Sequence, residues 1–446
     1  LAAMGTSFRR AYTPNAVCSP ARASLMTGLL PHNHGVLHVT HTVDDDQSVL
    51  RTEKPHWAQR LEQAGYRTGY FGKWHIERTE RLEDFGWQVN GAIGSERHRR
   101  KMEEMRAEAP SKGKLEPAYY VDQPPGYRKD VLYGVTELPP ERRGMGVVTA
   151  MAADFLRDVL KQPDPWCCFV SLTEPHDPFI CGKEAYERYD PDALELPPNW
   201  DDPLDGRPGL YRKAARAWAN MSERQRREAM ACYYGTISEI DDLFGALIRQ
   251  VAEAGQLDHT IIVLTSDHGE LLGAHGLYTK NISAFEEVYN IPLIIAGPGI
   301  RQGELSKARV GLHDLCPTLL ELTGCEPIDF ATPDSRSFAP LLLGHEAEQD
   351  YVSGYAEYHG GRVLLTQRVV WEGDWKYVFN GFDEDELYHL AEDPWEMNNL
   401  IHEPSVGEQL KKLNKRLWDR IRETGDTSLL NSHYMSLRLS SYGPLA

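Results

Sequence analysis

The stretch Val17–Gly28, V-C-S-P-A-R-A-S-L-M-T-G, constrains this chain more than any other. Pro20 suits a first helical turn, where its missing N–H has no partner to lose. Ala23 to Met26 continue the helix and Gly28 ends it. Cys18 then stands at a helix N-terminus, in the positive field of unpaired backbone N–H groups. Arg22, four residues on, returns to the same face one turn later. The segment thus sets a reactive sulfur and a guanidinium beside a ready anion site.

A chain of 446 residues is too long for one small core. The reading is a large α/β domain over 1–345 and a smaller α+β unit with a tail over 346–446. Near Gly344 the composition turns to Tyr, Trp and Val in alternation, which suits antiparallel strands. At 41% hydrophobic and 26% charged residues the chain falls in the globular class, and no apolar run reaches membrane-spanning length. The net charge of -18 excludes a general nucleic-acid binder. Any anionic ligand must be held by local cations against the overall field.

Seven cysteines without regular spacing, two of them adjacent at Cys167-Cys168 in an apolar run, read as reduced buried thiols. That leans to a cytoplasmic setting. A periplasmic or secreted one stays open, because Leu1-Ala-Ala-Met-Gly reads as the tail of a helix already under way, with targeting information expected ahead of it. A homo-oligomer is also open, the tail from Ser428 being free to pack on a neighbour.

Along the chain, three apolar strands run straight into polar clusters. Tyr66–Phe71 leads to Lys73 and His75, Trp166–Leu172 to His176, and Ile261–Thr265 to Asp267 and His268. The last two runs read as strands buried on both faces. In open α/β sheets ligands bind beyond the carboxyl ends of the strands, so these clusters and the Cys18 helix are expected to converge on one rim. Phe8–Pro14 is read only as a lead into the cysteine segment. Glu77–Gly144 and Phe179–Asn220 are read as polar excursions that shape a pocket. Ser222–Ala254 reads as a long helix with Ser222 as its N-cap, and Gln409–Arg422 as another.

The chemistry follows from residue type. Asp267 and His268 offer an oxygen and a nitrogen ligand side by side, too few alone for a calcium or magnesium cage. Arg22, Lys73 and Lys280 are candidates to neutralise a tetrahedral anion, and His75 and His176 to move protons near neutral pH.

The C-x-P-x-R spacing with S-L-M-T-G resembles the signature of the sulfatase family. So do G-K-W-H at Gly72–His75, P-H-D-P at Pro175–Pro178, S-D-H-G at Ser266–Gly269, H-G-L-Y-T-K at His275–Lys280 and P-T-L-L-E-L-T-G at Pro317–Gly324, all in sulfatase order. E-L-Y-H-L-A-E-D-P at Glu386–Pro394 is similar to the family's C-terminal segment. The resemblance implies a sulfatase/alkaline phosphatase-like fold, with a large mixed sheet flanked by helices and a smaller C-terminal antiparallel sheet. It implies hydrolysis of an aryl or carbohydrate sulfate ester. Cys18, oxidised to formylglycine by a maturation enzyme, would be nucleophile and metal ligand, with Asp267 and His268 completing what this chain offers the metal. Calcium is the implied ion, with manganese or magnesium as alternatives. Arg22 would steady the hydrated aldehyde, and Lys73 and Lys280 would hold sulfate oxygens. His75 would help break the sulfated intermediate, and His176 would contact the leaving oxygen.

The family's first strand normally brings two adjacent aspartates to the metal, and no such strand is read ahead of Cys18. The expectation is half a metal site, weak metal binding by this chain alone, and no turnover unless that strand is supplied. Two rivals are carried: a phosphonate monoester or phosphodiester hydrolase of the same superfamily, and a non-catalytic binder of sulfated ligands. Tyr119, Tyr120, His359 and Arg362 are candidates for contact with the organic part of the substrate.

Overall fold

Packing, not amphipathicity, holds the Cys18–Thr27 helix: every residue in it except Arg22 is buried. The computed structural model describes residues 1–44, 46, 48–50, 55–109, 113–121, 126–280, 282–361, 364–430 and 440–444. Leu25 and Met26 enter a core shared with Trp57, Tyr70, Trp74 and Trp87, each such burial being worth about 1.5–3 kcal/mol. Val17 ahead of the helix is extended, and no side chain caps the first turn, which leaves that end open to an anion. Gly28 closes the helix at φ 72°. A Cβ there would come within 2.8 Å of Phe330, so glycine is required both for the turn and for the space.

The strands are β1 (Gly5–Tyr12), β2 (Arg67–Gly72), β3 (Val89–Ala92), β4 (Ala118–Tyr120), β5 (Val131–Thr136), β6 (Trp166–Ser171) and β7 (Phe179–Gly182). They continue with β8 (Ile262–Thr265), β9 (Leu293–Ala296), β10 (Glu304–Gly311), β11 (Ser353–Tyr358), β12 (Gln367–Glu372), β13 (Trp375–Asn380) and β14 (Glu386–His389). A mixed sheet runs β10-β1-β9-β8 and a parallel one runs β3-β2-β6. The antiparallel sheet β11-β12-β13-β14 closes the chain, with the Gly407–Thr424 helix packed on it through Leu410, Leu413, Leu417 and Ile421. The α/β architecture and the C-terminal sheet agree with the sequence reading. The Glu223–Glu253 helix opens on the capping box of Ser222 and Gln225.

Three details differ. A strand does precede Cys18, namely β1, but its sequence G-T-S-F-R-R-A-Y holds no carboxylate. Its alternation is hidden because β1 lies between β10 and β9 and buries residues on both sides. Second, β6 packs on both faces as read, Cys167 and Phe169 on one core and Trp166, Cys168 and Val170 on another, yet the residues of β6 and β8 are mostly only partly buried. Each ends its own sheet, so each has one hydrogen-bonded neighbour. Third, the two excursions are not just loops. They join in a sheet β4-β5-β7 that packs on the Glu223–Glu253 helix through Phe179, Ala229 and Cys232.

All seven cysteines are free thiols. Among the described residues no helix is long and apolar enough to cross a membrane.

The turn after the cysteine helix is tied to the C-terminal sheet by buried charge. His32 Nδ1 lies 2.9 Å from Glu357 Oε2, and its Nε2 lies 3.0 Å from the Thr424 carbonyl. Arg368 donates to Asp426 at 2.6 Å beside them. Burial would push the His32 imidazole down, but Glu357 overrides it and raises its pKa to about 9. A raised histidine pKa stabilises the fold below the unfolded value of about 6.5, and that contribution is lost as pH climbs through 9. The His32→Gln variant is therefore expected to lose most of the fall in unfolding free energy that the parent shows between pH 6.5 and 9, roughly 3 kcal/mol at most. Urea denaturation of both proteins across that range checks it.

Candidate active site

Cys18 is 3% exposed, and its Sγ lies 3.3 Å from His268 Nε2. Burial raises the pKa of a thiol, yet here His268, together with hydrogen bonds from His176, His268 and His75, holds it well below the ordinary value. His268 Nδ1 is 2.8 Å from the Gly269 carbonyl. A carbonyl can only accept, so the Nδ1 carries the proton and the Nε2 is turned to the sulfur.

Arg22 ties three strand ends together. Its Nε donates to Asp267 Oδ2 at 2.7 Å, just past β8. Its Nη1 donates to Ser171 Oγ at 2.7 Å, the last residue of β6, and to the Lys73 carbonyl at 2.8 Å, just past β2. Burial would push the Asp267 carboxyl up; Arg22, helped by His268, holds it below the usual carboxylate range. Lys73 is shifted down, first by burial and then by Arg22, with Cys18 pulling the other way.

His176 Nδ1 faces the Asp177 carbonyl at 2.7 Å and Asp177 Oδ1 at 3.1 Å. Its Nε2 meets the Lys280 ammonium. Asp177 Oδ1 stands 3.5 Å from that ammonium. Glu270, buried nearby, is pushed up to about 7, chiefly by burial. His75 sits at φ 60°, the left-handed region where a residue other than glycine is strained, a feature that clusters at functional sites.

So Cys18, Arg22, Lys73, His75, His176, Asp267, His268 and Lys280 are brought into one cluster, as the strand-end argument expects. Within it His176 joins the ligand atoms read from the sequence. The metal-competent atoms within 4.8 Å of one another are Cys18 Sγ and one nitrogen each of His176 and His268. Asp267 stands outside that trio, with Oδ2 taken by Arg22. Sequence reasoning also missed His41, whose Nδ1 is 2.7 Å from His75 Nε2, and Ser171. His41 lies in a stretch without periodicity, whereas Ser171 ends an apolar strand and was open to reading. His359 lies in the His32–Glu357 network, 3.6 Å from Glu357 Oε2. Tyr119 is buried and Tyr120 is half-exposed; Arg362 lies outside the described residues.

A buried sulfur poised to ionise, at an open helix end and among three cations, does nucleophilic chemistry on an anion. Fold and site thus fit an α/β enzyme that acts on anionic esters. The sulfatase family profile matches residues 1–325, and that of the N-sulphoglucosamine sulphohydrolase C-terminal region matches 273–423. The choline-sulfatase of Rhizobium meliloti is 30% identical over 91% of this chain and 77% of its own length. The N-acetylglucosamine-6-O-sulfatase of Bacteroides thetaiotaomicron is 25% identical over 95% and 81%. The phosphonate monoester hydrolase of Agrobacterium radiobacter superposes with a TM-score of 0.78 at 22% identity over 95% and 90%, a likeness of fold. The chain belongs to the sulfatase family, and its reaction class is sulfuric ester hydrolysis.

Proposed function

We propose that this protein cleaves the sulfate ester of a small molecule or a carbohydrate, with residue 18 as nucleophile after its conversion to formylglycine. The observation that carries this is the position of Cys18 at the uncapped helix start, with His268 on its sulfur and His75 and His176 acting on the same atom. The converted residue, as a hydrated aldehyde, would supply one hydroxyl for attack and a second to expel sulfate. The donors around Cys18 suit such oxygens: imidazoles that give or take a proton, and the Lys73 ammonium.

The chain's own residues then divide the work. Lys73 and Lys280 hold sulfate oxygens and offset charge that grows in the transition state. Arg22 fixes Asp267 and, through Ser171 and the Lys73 carbonyl, the spacing of the strand ends. His176, backed by Asp177 and touching Lys280, is placed to carry a proton to the leaving oxygen. His75, in contact with His41 and acting on residue 18, would help break the sulfated intermediate. The substrate's organic part is expected against the β4-β5-β7 sheet. The sugar-sulfatase relative supports a carbohydrate, and the choline-sulfatase relative supports a small cation.

Sulfatases in general use a divalent metal, and calcium is the ion implied at this locus. Calcium takes six to eight oxygens. The described residues here offer Asp267, whose Oδ2 is paired with Arg22, beside the sulfur and nitrogens of Cys18, His176 and His268, while Asp177 is engaged by His176 and Lys280. That donor set has too few oxygens for calcium or for magnesium's octahedron. Free thiols support a reducing, cytoplasmic setting. A maturation enzyme is the partner that the function requires.

Initial rates of the converted protein on an aryl sulfate and on a phosphodiester of the same phenol test the proposal. Sulfate is expected to be hydrolysed at least 100-fold faster by kcat/KM. A preference for the phosphodiester would overturn it in favour of the phosphonate hydrolase reading. Peptide mass spectrometry showing a loss of about 18 Da at Cys18 verifies conversion. Its absence would favour a binder.

A further inference from the structure

We propose that the unconverted protein binds one zinc ion through Cys18, His176 and His268, a trio that shares Cys18 and His268 with the set read from the sequence but brings His176 in place of the Asp267 carboxylate. A thiolate and two imidazoles are the donor set of a borderline-soft ion.

Geometry supports it in two independent ways. The three ligand atoms lie within 4.8 Å of one another, and Cys18 Sγ is 3.3 Å from His268 Nε2. In a tetrahedral zinc site that sulfur–nitrogen separation is roughly 3.6 Å, from bond lengths of about 2.3 and 2.05 Å. The second observation is outside the trio. Each imidazole already directs its Nδ1–H to a backbone carbonyl, His268 to Gly269 at 2.8 Å and His176 to Asp177 at 2.7 Å. Metal-bound histidines are oriented in this way, with the remaining nitrogen presented to the ion. Three protein ligands leave a fourth position for water.

Binding displaces the proton now shared between Cys18 Sγ and His268 Nε2, which leaves to solvent. No bond other than the metal–ligand bonds forms. Lys280 caps His176 Nε2 and must release it; Asp177 Oδ1, 3.5 Å from its ammonium, can keep the lysine on its flexible stem. The nearby cations Arg22 and Lys73 oppose a dication, but Asp267 and the Cys18 thiolate offset them. Conversion of Cys18 to formylglycine removes the sulfur, and with it the thiophilic site. Zinc thereby distinguishes the two states of the protein.

The test is a cobalt(II) titration of protein made without the maturation enzyme. One equivalent is expected to give a thiolate-to-cobalt charge-transfer band with the visible bands of four-coordinate cobalt. Zinc should displace it, and native mass spectrometry should count one zinc. Cys18→Ser and the converted protein are each expected to lose the charge-transfer band. His268→Ala is expected to weaken binding more than about 100-fold. A band that survives Cys18→Ser, or a zinc count that is the same before and after conversion, overturns the proposal. None of these readouts uses catalysis, so the sulfatase reading can stand if zinc fails.

Discussion

Replacing Cys18 with alanine is expected to lower kcat/KM for an aryl sulfate by more than about 10,000-fold while leaving the protein folded. Removal of a nucleophile costs losses of that order, because the binding and proton-transfer groups around it cannot act on an absent atom. Folding should survive. The residue contributes a small side chain at the start of a helix with no side-chain cap, and the helix is held further along by Leu25 and Met26. A change of about 1 kcal/mol is the expected stability cost. Cys18→Ser is the sharper variant. Serine presents one hydroxyl at the same place and cannot re-form an aldehyde, so one turnover at most is expected, read as a burst without a steady state. Sustained turnover by either variant would remove residue 18 from the mechanism and leave the imidazole and lysine cluster to be explained in another way.

The convergence of these side chains was legible because it follows from local rules. A Pro in the first turn and a Gly at the end mark the cysteine helix, and apolar runs of strand length broken by Lys73, His176 and Asp267 mark strand ends. What could not be read depends on pairing between distant segments. No local pattern says that β6 and β8 each end a sheet, and their apolar runs look the same as those of central strands. The strand β1 escaped because Arg9 and Arg10 interrupt its apolar face. The direction of a side chain past a strand end is also set by partners far away. Asp267 stands beside His268 as read, with Oδ1 3.8 Å from His268 Nε2, while Arg22, 245 residues earlier, holds Oδ2 and His176 joins Cys18 and His268 in the tightest group. His41 reaches His75 from a loop whose sequence carries no periodic signal.

The Arg22–Asp267 pair yields the other large effect, and it separates structure from chemistry. Arg22→Ala is expected to cost about 3–5 kcal/mol, since it leaves the Asp267 carboxylate buried without its cation and strips hydrogen bonds from Ser171 and the Lys73 carbonyl. Its pH dependence has a definite sign. Asp267 is held below its ordinary range, so its contribution is present above about pH 4 and is lost as pH falls through the folded value. The Arg22→Ala variant should lose that acid-side slope. Asp267→Asn should be milder, because an amide oxygen still accepts from the guanidinium. The double replacement Arg22→Met with Asp267→Leu removes both charges together and is expected to recover most of the stability lost in Arg22→Ala, as buried pairs exchanged for apolar groups often do. Activity should not return with it. A guanidinium that spaces three strand ends sets the distance between residue 18 and Lys73, and an error of about 1 Å there costs on the order of 100-fold. Thermal denaturation and kcat measured on the parent and these three variants separate the two roles. Recovery of stability without recovery of kcat places Arg22 in the positioning of the reacting groups, whereas parallel recovery of both would reduce the pair to a fold-stabilising contact.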